Sequence, residues 1–165
     1  MLSSEIVTTM VRTDRLKTQP FQRGVFIRVE TAGGRAVLAG GSCAELATTI
    51  ILNFRQQAAY ALIGFVVLPK EIQMIIVPRE VSVGSLGRHF EQACGAILCQ
   101  LAGVEPPAFD TEIYMEPLDG SESLKSRMQG MLQTPVRLRL SGSPAAYDYS
   151  SANVRFQNEL DKLER

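Results

Sequence analysis

The stretch Tyr60–Pro78, YALIGFVVLPKEIQMIIVP, decides the fold of this chain. Two runs of β-favouring apolar residues, Tyr60–Leu68 and Ile72–Val77, lie on either side of the segment Pro69–Glu71. Apolar runs of this length, separated by a few residues that begin with proline, are typical of a β-hairpin. The sequence therefore predicts two adjacent antiparallel strands at the centre of the protein.

Two polar side chains interrupt the second run. Because strand side chains point alternately to the two faces of a sheet, Glu71 and Gln73 are predicted to lie side by side on one face, with Ile72 and Met74 on the other. A polar pair at i and i+2 on such an apolar strand is either a solvated rim or the wall of a site. The pair is thus the first candidate for function.

The composition indicates one ordinary globular domain. The chain has 165 residues, of which 45% are apolar and 21% charged, a balance that argues against global disorder. Lys plus Arg and Asp plus Glu number 17 each, so the net charge is zero. This balance disfavours bulk affinity for nucleic acid but permits a local basic patch. Residues 12–35, which hold six Arg or Lys against Asp14 and Glu30, form a basic N-terminal quarter.

The cysteines and the hydropathy pattern exclude several classes. Cys43, Cys94 and Cys99 form no CxxC pair, so neither a disulfide framework nor a zinc knuckle is predicted. No apolar run reaches the roughly 18 residues of a membrane span, and no charged-then-apolar leader opens the chain. We expect no membrane partner and a cytoplasmic location.

The other elements follow from periodicity and from cap and turn residues. Ser42 with Glu45 is predicted to form a capping box for the first helix, Ser82 or Ser85 to cap the second, and Ser121 the third. Pro135 is predicted to prevent continuation of the third helix. The predicted order is β, α, β, β, α, β, α over residues 25–30, 43–57, 60–68, 72–77, 81–102, 113–117 and 121–133.

This order predicts an α+β fold. Its first six elements match the ferredoxin-like split βαβ arrangement, a four-stranded antiparallel sheet with two helices on one face, here followed by a C-terminal helix. The other face is expected to be free for function. The predicted division is an irregular arm over 1–20, a single domain over 21–155 and a tail over 156–165. Residues 153–165 are expected to form a weak helix or to fray.

Three segments together carry a family resemblance. They are the hairpin frame LPKEIQMII at 68–76, the helix end GMLQTPVR at 130–137, and the segment AYDYSS at 146–151. In this order and spacing the chain resembles the single-tyrosine HUH transposases of small bacterial insertion sequences, including the REP-associated tyrosine transposases. Residues 26–29 and 34–38 are similar to that family's first strand and the turn after it.

The resemblance implies which functional residues of that family the chain would retain and which it would lack. In that family two histidines on the hairpin hold a divalent metal that polarises a DNA phosphate, and a tyrosine attacks it to form a covalent intermediate. Here the histidine positions are Glu71 and Gln73, and the tyrosine position is Gly130. We therefore expect a transposase-related protein that does not cut DNA.

Two interpretations of Glu71 and Gln73 remain open. Glu71 and Gln73 offer oxygen ligands of the kind that magnesium or manganese prefers, so a weakened metal site is one hypothesis. In the alternative, both are solvated hairpin residues and the protein has no cofactor. A replacement nucleophile would have to be Tyr114, Tyr147 or Tyr149; Tyr114 is expected in the core, and the other two as structural anchors whose hydroxyls are satisfied.

Single-stranded or hairpin DNA is the expected partner. The predicted DNA-binding residues could form a groove on one sheet face and the last helix; they are Arg28, Arg35, Arg88, Lys125, Arg127 and Arg137. The lone histidine, His89, is predicted to be structural.

Two alternative functions remain. One is a ferredoxin-like, homodimeric interaction module with no role in nucleic-acid binding. The other is an active enzyme with a non-standard nucleophile.

Overall fold

The computed structural model describes residues 23–162. The predicted N-terminal arm over 1–20 and the first basic residues of the N-terminal quarter lie outside the described residues.

Four antiparallel strands form one sheet. They are β1 (Val25–Glu30), β2 (Tyr60–Leu68), β3 (Glu71–Pro78) and β4 (Tyr114–Pro117), and their order across the sheet is β2-β3-β1-β4. Strands β2 and β3 form the predicted hairpin, joined by two residues. The sheet order is that of the split βαβ arrangement, so the predicted fold class is confirmed.

The two faces of the sheet divide as the alternation predicts. On one face Ile27, Phe65, Ile72 and Met74 are fully buried in the main core. Two helices cover this face: α1 (Gly41–Gln56) and α2, which spans 86–102. Burying so much apolar surface on one side of a sheet is the main stabilising contribution of the domain.

Helix α2 contains an irregular turn with a specific role. It begins as Leu86–Phe90, passes through the π-helical turn Glu91–Gly95 and ends as Ala96–Ala102. The Glu91 carboxylate accepts hydrogen bonds from the backbone N–H groups of Ala108 and Phe109. The turn therefore fastens α2 to the segment that leads into β4.

The π-helical turn also changes which side of α2 is buried. The structure buries Cys94 and Leu98, whereas Ile97 and Leu101 are 51% and 55% exposed. A π-helical turn accommodates one extra residue, so every later position is shifted round the helix. A uniform 3.6-residue period instead predicts the stripe Leu86, Phe90, Ala93, Ile97 and Leu101, which is wrong after Phe90.

None of the predicted serine caps forms a side-chain capping bond. Helix α1 begins after Gly40 without a side-chain cap, and Glu45 forms an ion pair with Arg155 instead of a capping box. At α2 Ser85 does occupy the N-cap position, as predicted, but its hydroxyl donates to the carbonyl oxygen of Ser82, the residue before the 3₁₀ turn Val83–Ser85. At α3 the N-cap is Asp119, again without a side-chain hydrogen bond. The helix starts follow from tertiary packing, because cap residues contribute only about 1 kcal/mol each.

Helix α3 (Gly120–Arg137) lies on the other face of the sheet, which is therefore not wholly free. Its Met131 packs on Phe26, Val66 and Ile75. Pro135 lies inside the helix, so the predicted end near residue 133 is wrong. Proline inside a helix removes one N–H donor and its ring crowds the carbonyl four residues earlier, at a cost of about 3 kcal/mol. The burial of Met131, Thr134 and Pro135 outweighs that cost.

The C-terminal segment closes the β2 edge of the sheet. Ser150 forms an isolated antiparallel bridge with Val66, and Phe156 is buried against Phe65 at a ring distance of 5.0 Å. Instead of a weak helix or a frayed end, residues 154–156 form a 3₁₀ turn. Farther along, Asp161 accepts from Arg55 in a two-pronged ion pair, each contact 2.9 Å long.

The three cysteines behave as small apolar residues. All of them are free and buried, and burial raises the pKa of the Cys94 thiol to about 12, with the charge of Glu91 as a lesser cause. A thiol with so high a pKa is unreactive at neutral pH. Among residues 23–162, no helix has both the length and the apolarity to cross a membrane.

Candidate nucleic-acid interface

A cleft of about 340 Å³ lies between α3 and the sheet. In it the hairpin and the last helix come together, which are two of the three segments that carry the resemblance. Gln73 enters it from β3 and Gly130 from α3; its other lining residues are Phe26, Arg28, Tyr114, Arg127, Met131, Thr134 and Arg137.

A row of three side chains crosses the floor of the cleft. Arg28 on β1 is paired in register with Gln73 on β3 and with Tyr114 on β4. Partners in register place their side chains on the same face of the sheet, so all three point towards α3. The Arg28 guanidinium lies 4.8 Å from the centre of the Tyr114 ring, which gives a cation–π contact.

Arg28 also lies between two carboxylates. Its Nε is 3.2 Å from Glu30 Oε1 and 3.4 Å from Glu71 Oε2, and Glu30 and Glu71 face each other across β1 and β3. The contact with Glu71 has the distance of an ion pair without the alignment of a hydrogen bond. The guanidinium thus separates two negative charges that would otherwise be direct neighbours.

Few atoms around Glu71 and Gln73 could act as ligands of a metal ion. The Glu71 carboxylate is in contact with a cation of the protein itself, and Gln73 adds one amide oxygen. Throughout the described part of the chain, no three His, Cys, Asp or Glu side chains gather closely enough to hold a metal ion.

The second arginine of the cleft comes from α3. Arg127 forms an ion pair with Glu116 of β4, and its guanidinium lies 4.5 Å from the centre of the Phe26 ring. The Tyr114 hydroxyl donates to the same Glu116 carboxylate at 3.3 Å. Arg127 and Glu116 therefore fasten the middle of α3 to the edge strand.

The third arginine has no acidic partner among residues 23–162. Arg137 donates to the carbonyl oxygen of Gly130 and to the hydroxyl of Thr134, both at 2.8 Å. These acceptors are neutral, so the charge of Arg137 is not compensated by an ion pair. A Cβ atom built at Gly130 would meet nothing within 4 Å, so the cleft is open at this position.

The remaining predicted DNA-binding residues lie elsewhere. Arg35 donates to the backbone carbonyl oxygens of Glu105 and Pro107, which makes it a structural tie. Arg88 is exposed on α2, on the opposite side of the sheet, and Lys125 is exposed on α3 but does not line the cleft. The structure thus brings together Arg28, Arg127 and Arg137 and leaves the other three apart.

Tyr147 and Tyr149 have structural contacts, whereas Tyr114 is exposed. The hydroxyl of Tyr147 donates to the carbonyl oxygen of Val67 at 2.6 Å, and burial raises its pKa to about 12. That of Tyr149 reaches the carbonyl oxygen of Gly41 at 3.4 Å. Both hydroxyls have a partner, as predicted, although both rings are half-buried and not buried as an anchor in the core would be. Tyr114, predicted in the core, is 46% exposed because β4 is an edge strand, so that prediction is wrong.

His89 is structural, as predicted. It is half-buried, its Nδ1 is 2.7 Å from the carbonyl oxygen of Ser85, and its ring packs edge-on against Phe54.

Sequence reasoning missed the apolar and aromatic part of the cleft. Phe26 and Tyr114 pack edge-to-face at 6.2 Å beside Arg28 and Arg127. Arginines with aromatic rings on neighbouring strands are a recurring arrangement in single-strand binding surfaces. Strand alternation alone places Phe26 and Arg28 on one face, but only the strand order adds Tyr114.

The fold is shared with a known transposase structure. No protein-family model and no curated protein matches the sequence. The fold is similar to that in a solved structure of a REP-associated tyrosine transposase bound to a REP hairpin, with a TM-score of 0.64. The sequences are 11% identical, and the match covers 88% of this chain and 86% of that one. The likeness is a distant structural relationship and concerns the fold.

Proposed function

We propose that this protein is a transposase-related, DNA-binding protein that holds hairpin or single-stranded DNA in the cleft between α3 and the sheet and does not cut it. The observation that carries the proposal is the convergence of Arg28, Arg127 and Arg137 with the exposed ring of Tyr114 in that one cleft. The structural neighbour, which was solved bound to a REP hairpin, supports DNA as the partner.

The charges of the cleft favour binding through few phosphates. Arg28 is balanced by Glu71, and Arg127 by Glu116, whereas Arg137 has neutral acceptors. For single strands, log K falls with log salt by about 0.7 for each phosphate that a cation neutralises. We expect a shallow slope, of roughly −1 to −2, with stacking as a larger share of the affinity.

Two features support the absence of cutting. Gly130 has no side chain that could attack a phosphate at the position where the resembling family has its tyrosine. Glu71 and Gln73 do not fit a divalent-metal site, because they offer one carboxylate and one amide while the Arg28 guanidinium lies in contact with that carboxylate. A nearby cation opposes the entry of a metal ion.

Binding can be tested by fluorescence anisotropy with a labelled DNA hairpin that carries a single-stranded tail, over a series of salt concentrations. Arg137→Gln should weaken binding and reduce the salt slope by about 0.7. Arg88→Gln is the matched control, because Arg88 is an exposed arginine on the opposite side of the sheet and should leave both quantities unchanged. Absence of binding even at low salt would reject the proposal in favour of an interaction module.

Cutting can be tested with the same DNA by incubation with manganese. The expected result is no covalent protein–DNA product on a denaturing gel. A tyrosine-linked product would overturn the inactive half of the proposal and leave DNA binding intact.

A further inference from the structure

Gln73 is a largely buried residue whose amide faces the cleft. The residue is only 8% exposed, it lines the cleft, and its amide is not one of the buried side-chain atoms that lack a hydrogen-bond partner. An amide offers two donors and an acceptor. Because the amide meets the open space of the cleft, a ligand there can hydrogen-bond with it.

The neighbours of Gln73 leave space beside it. Arg28, its partner in register, is engaged with Tyr114 on one side and with Glu71 on the other. Gly130, on the helix that covers the cleft, has open space where a side chain would begin. The cleft volume of about 340 Å³ is at the lower end of the range for small-ligand pockets, which is about 300–1,000 Å³.

The walls of this space suit a flat ring. Tyr114 is 46% exposed, and the Cα atoms of Gln73 and Tyr114 lie two strand spacings apart, about 10 Å. The Arg28 guanidinium lies over the Tyr114 ring, between that ring and Gln73. Guanidinium planes and aromatic rings both stack on nucleobases, so a planar group can stack on this pair and present its edge to the Gln73 amide. Arg137 is at the helix side, where a phosphate attached to that group could contact it.

We propose that the cleft takes one unpaired nucleobase and that Gln73 is the residue that reads its edge. Adenine is the base that a glutamine amide matches best, because the amide donates to N7 and accepts from the N6 amino group. The inference rests on the proposed DNA binding and adds a specificity-determining residue to it.

The test compares DNA hairpins that share one stem and differ in a short unpaired tail of dA, dC, dT or abasic nucleotides. The full chain should bind the dA tail about 5- to 100-fold more tightly than the dC or dT tail, which is the discrimination expected of one bidentate contact. The abasic tail should bind most weakly, because it cannot stack.

Two substitutions of Gln73 distinguish loss of base recognition from loss of folding. Gln73→Leu keeps the approximate volume and removes the amide, so the preference for dA should vanish while affinity for the other tails changes little. Gln73→Glu retains polarity and replaces the amide with a carboxylate, which accepts from the N4 amino group of cytosine. This variant should shift the preference to the dC tail. Circular dichroism of both variants verifies the fold.

Each outcome bears on one of the two proposals. In one outcome the wild type binds the dA, dC and dT tails equally and still shows salt-dependent affinity. That result overturns the base-reading inference and leaves the proposed DNA binding intact. A dA preference that survives in Gln73→Leu also overturns it. Loss of all DNA binding at low salt rejects both proposals. If Gln73→Leu does not fold, the wild-type series and Gln73→Glu still decide.

Discussion

Arg28 Nε lies 3.4 Å from Glu71 Oε2 across the β1–β3 pair, although neither atom has a hydrogen-bond partner within residues 23–162. The contact is therefore electrostatic and can be weakened without leaving a broken hydrogen bond. It is also the feature that most separates this cleft from a metal site, because a fixed positive charge lies beside the carboxylate that would have to bind the metal.

Removal of the Arg28 charge should destabilise the protein, because the Glu30 and Glu71 carboxylates on either side of it would then repel each other. Arg28→Met leaves Glu30 and Glu71 opposite each other, and we expect a loss of about 1 kcal/mol in the free energy of unfolding at neutral pH. Adding Glu71→Gln to Arg28→Met should recover part of this loss. Urea unfolding of the two variants measures the difference. If the double variant is no more stable than the single one, like-charge repulsion is not the cause.

Restoration of a tyrosine should not restore cutting. Gly130→Tyr places a hydroxyl at the position where the transposases that this chain resembles carry their tyrosine, and a side chain can begin there in open space. Without a metal to polarise the phosphate, we expect no covalent DNA product with manganese present. The control is Gly130→Phe, which has the same ring without the hydroxyl. A product with Gly130→Tyr but not with Gly130→Phe would show that the cleft still activates a phosphate.

Two helical glycines should respond to alanine in opposite ways. Gly130→Ala should raise the free energy of unfolding by about 1 kcal/mol, because glycine is a poor helix former and space is available. Gly95→Ala would bring a Cβ within 2.3 Å of the Glu91 carboxyl group, which holds the N–H groups of Ala108 and Phe109. Displacing that carboxylate should cost about 1–3 kcal/mol. Urea unfolding compares both with the wild type; a stabilised Gly95→Ala would contradict the assigned role of Glu91.

The hydroxyl of Tyr147 should matter for stability and not for DNA. Tyr147→Phe removes the 2.6 Å hydrogen bond to the carbonyl oxygen of Val67, with an expected cost of about 1 kcal/mol. DNA affinity should remain within twofold of the wild type, as measured by anisotropy. Tyr114→Phe is the comparison, because its hydroxyl is exposed and should contribute little stability. A covalent DNA product that depends on Tyr147 would contradict the structural role.

The Arg55–Asp161 pair should make stability depend on acid pH. Hydrogen bonding from Arg55 is the largest cause that lowers the pKa of Asp161, with the Leu62 N–H and the charge of Arg79 as further causes. A carboxyl whose folded pKa is lowered stabilises the fold above the unfolded value of about 3.9, and that stability is lost as pH falls through the folded pKa. Asp161→Asn should cost about 1–2 kcal/mol at neutral pH.

The measurement is urea unfolding of Asp161→Asn and wild type at neutral pH and near pH 3. The gap between the two proteins should narrow in acid, because below the unfolded pKa Asp161 takes up a proton more readily in the unfolded chain than in the folded one. A gap that stays constant would mean that the charge of Asp161 does not contribute.

Local rules predicted much of the fold. The hairpin, the first strand and the division of Ile72 and Met74 from Glu71 and Gln73 follow from alternation, which depends only on neighbouring residues. The same rules failed where packing outweighed a local preference of about 1 to 3 kcal/mol. Pro135 stays inside α3, and the π-helical turn moves the buried stripe of α2 from Ile97 to Leu98.

The candidate site was predicted in part. Arg28, Arg127 and Arg137 could be named from their positions on one strand face and the last helix, and the structure brings them to one cleft. Tyr114 could not, because its exposure depends on β4 being an edge strand. The balance of Arg28 against Glu71 could not either, because it depends on the register of two strands that are far apart in the chain.

The sequence by itself determined the alternating strands, the helices between them and the residue types at positions 71, 73 and 130, since all of these are properties of residue type and short-range spacing. Only the tertiary structure decided that Gln73, Arg28 and Tyr114 form one row and that Gly130 lies open above it. The physical reason is that strand order, register and helix docking are set by burial of apolar surface between distant segments. The hairpin contributes Gln73 to the cleft, and the packing of α3 on the sheet brings Arg127 and Arg137 beside it.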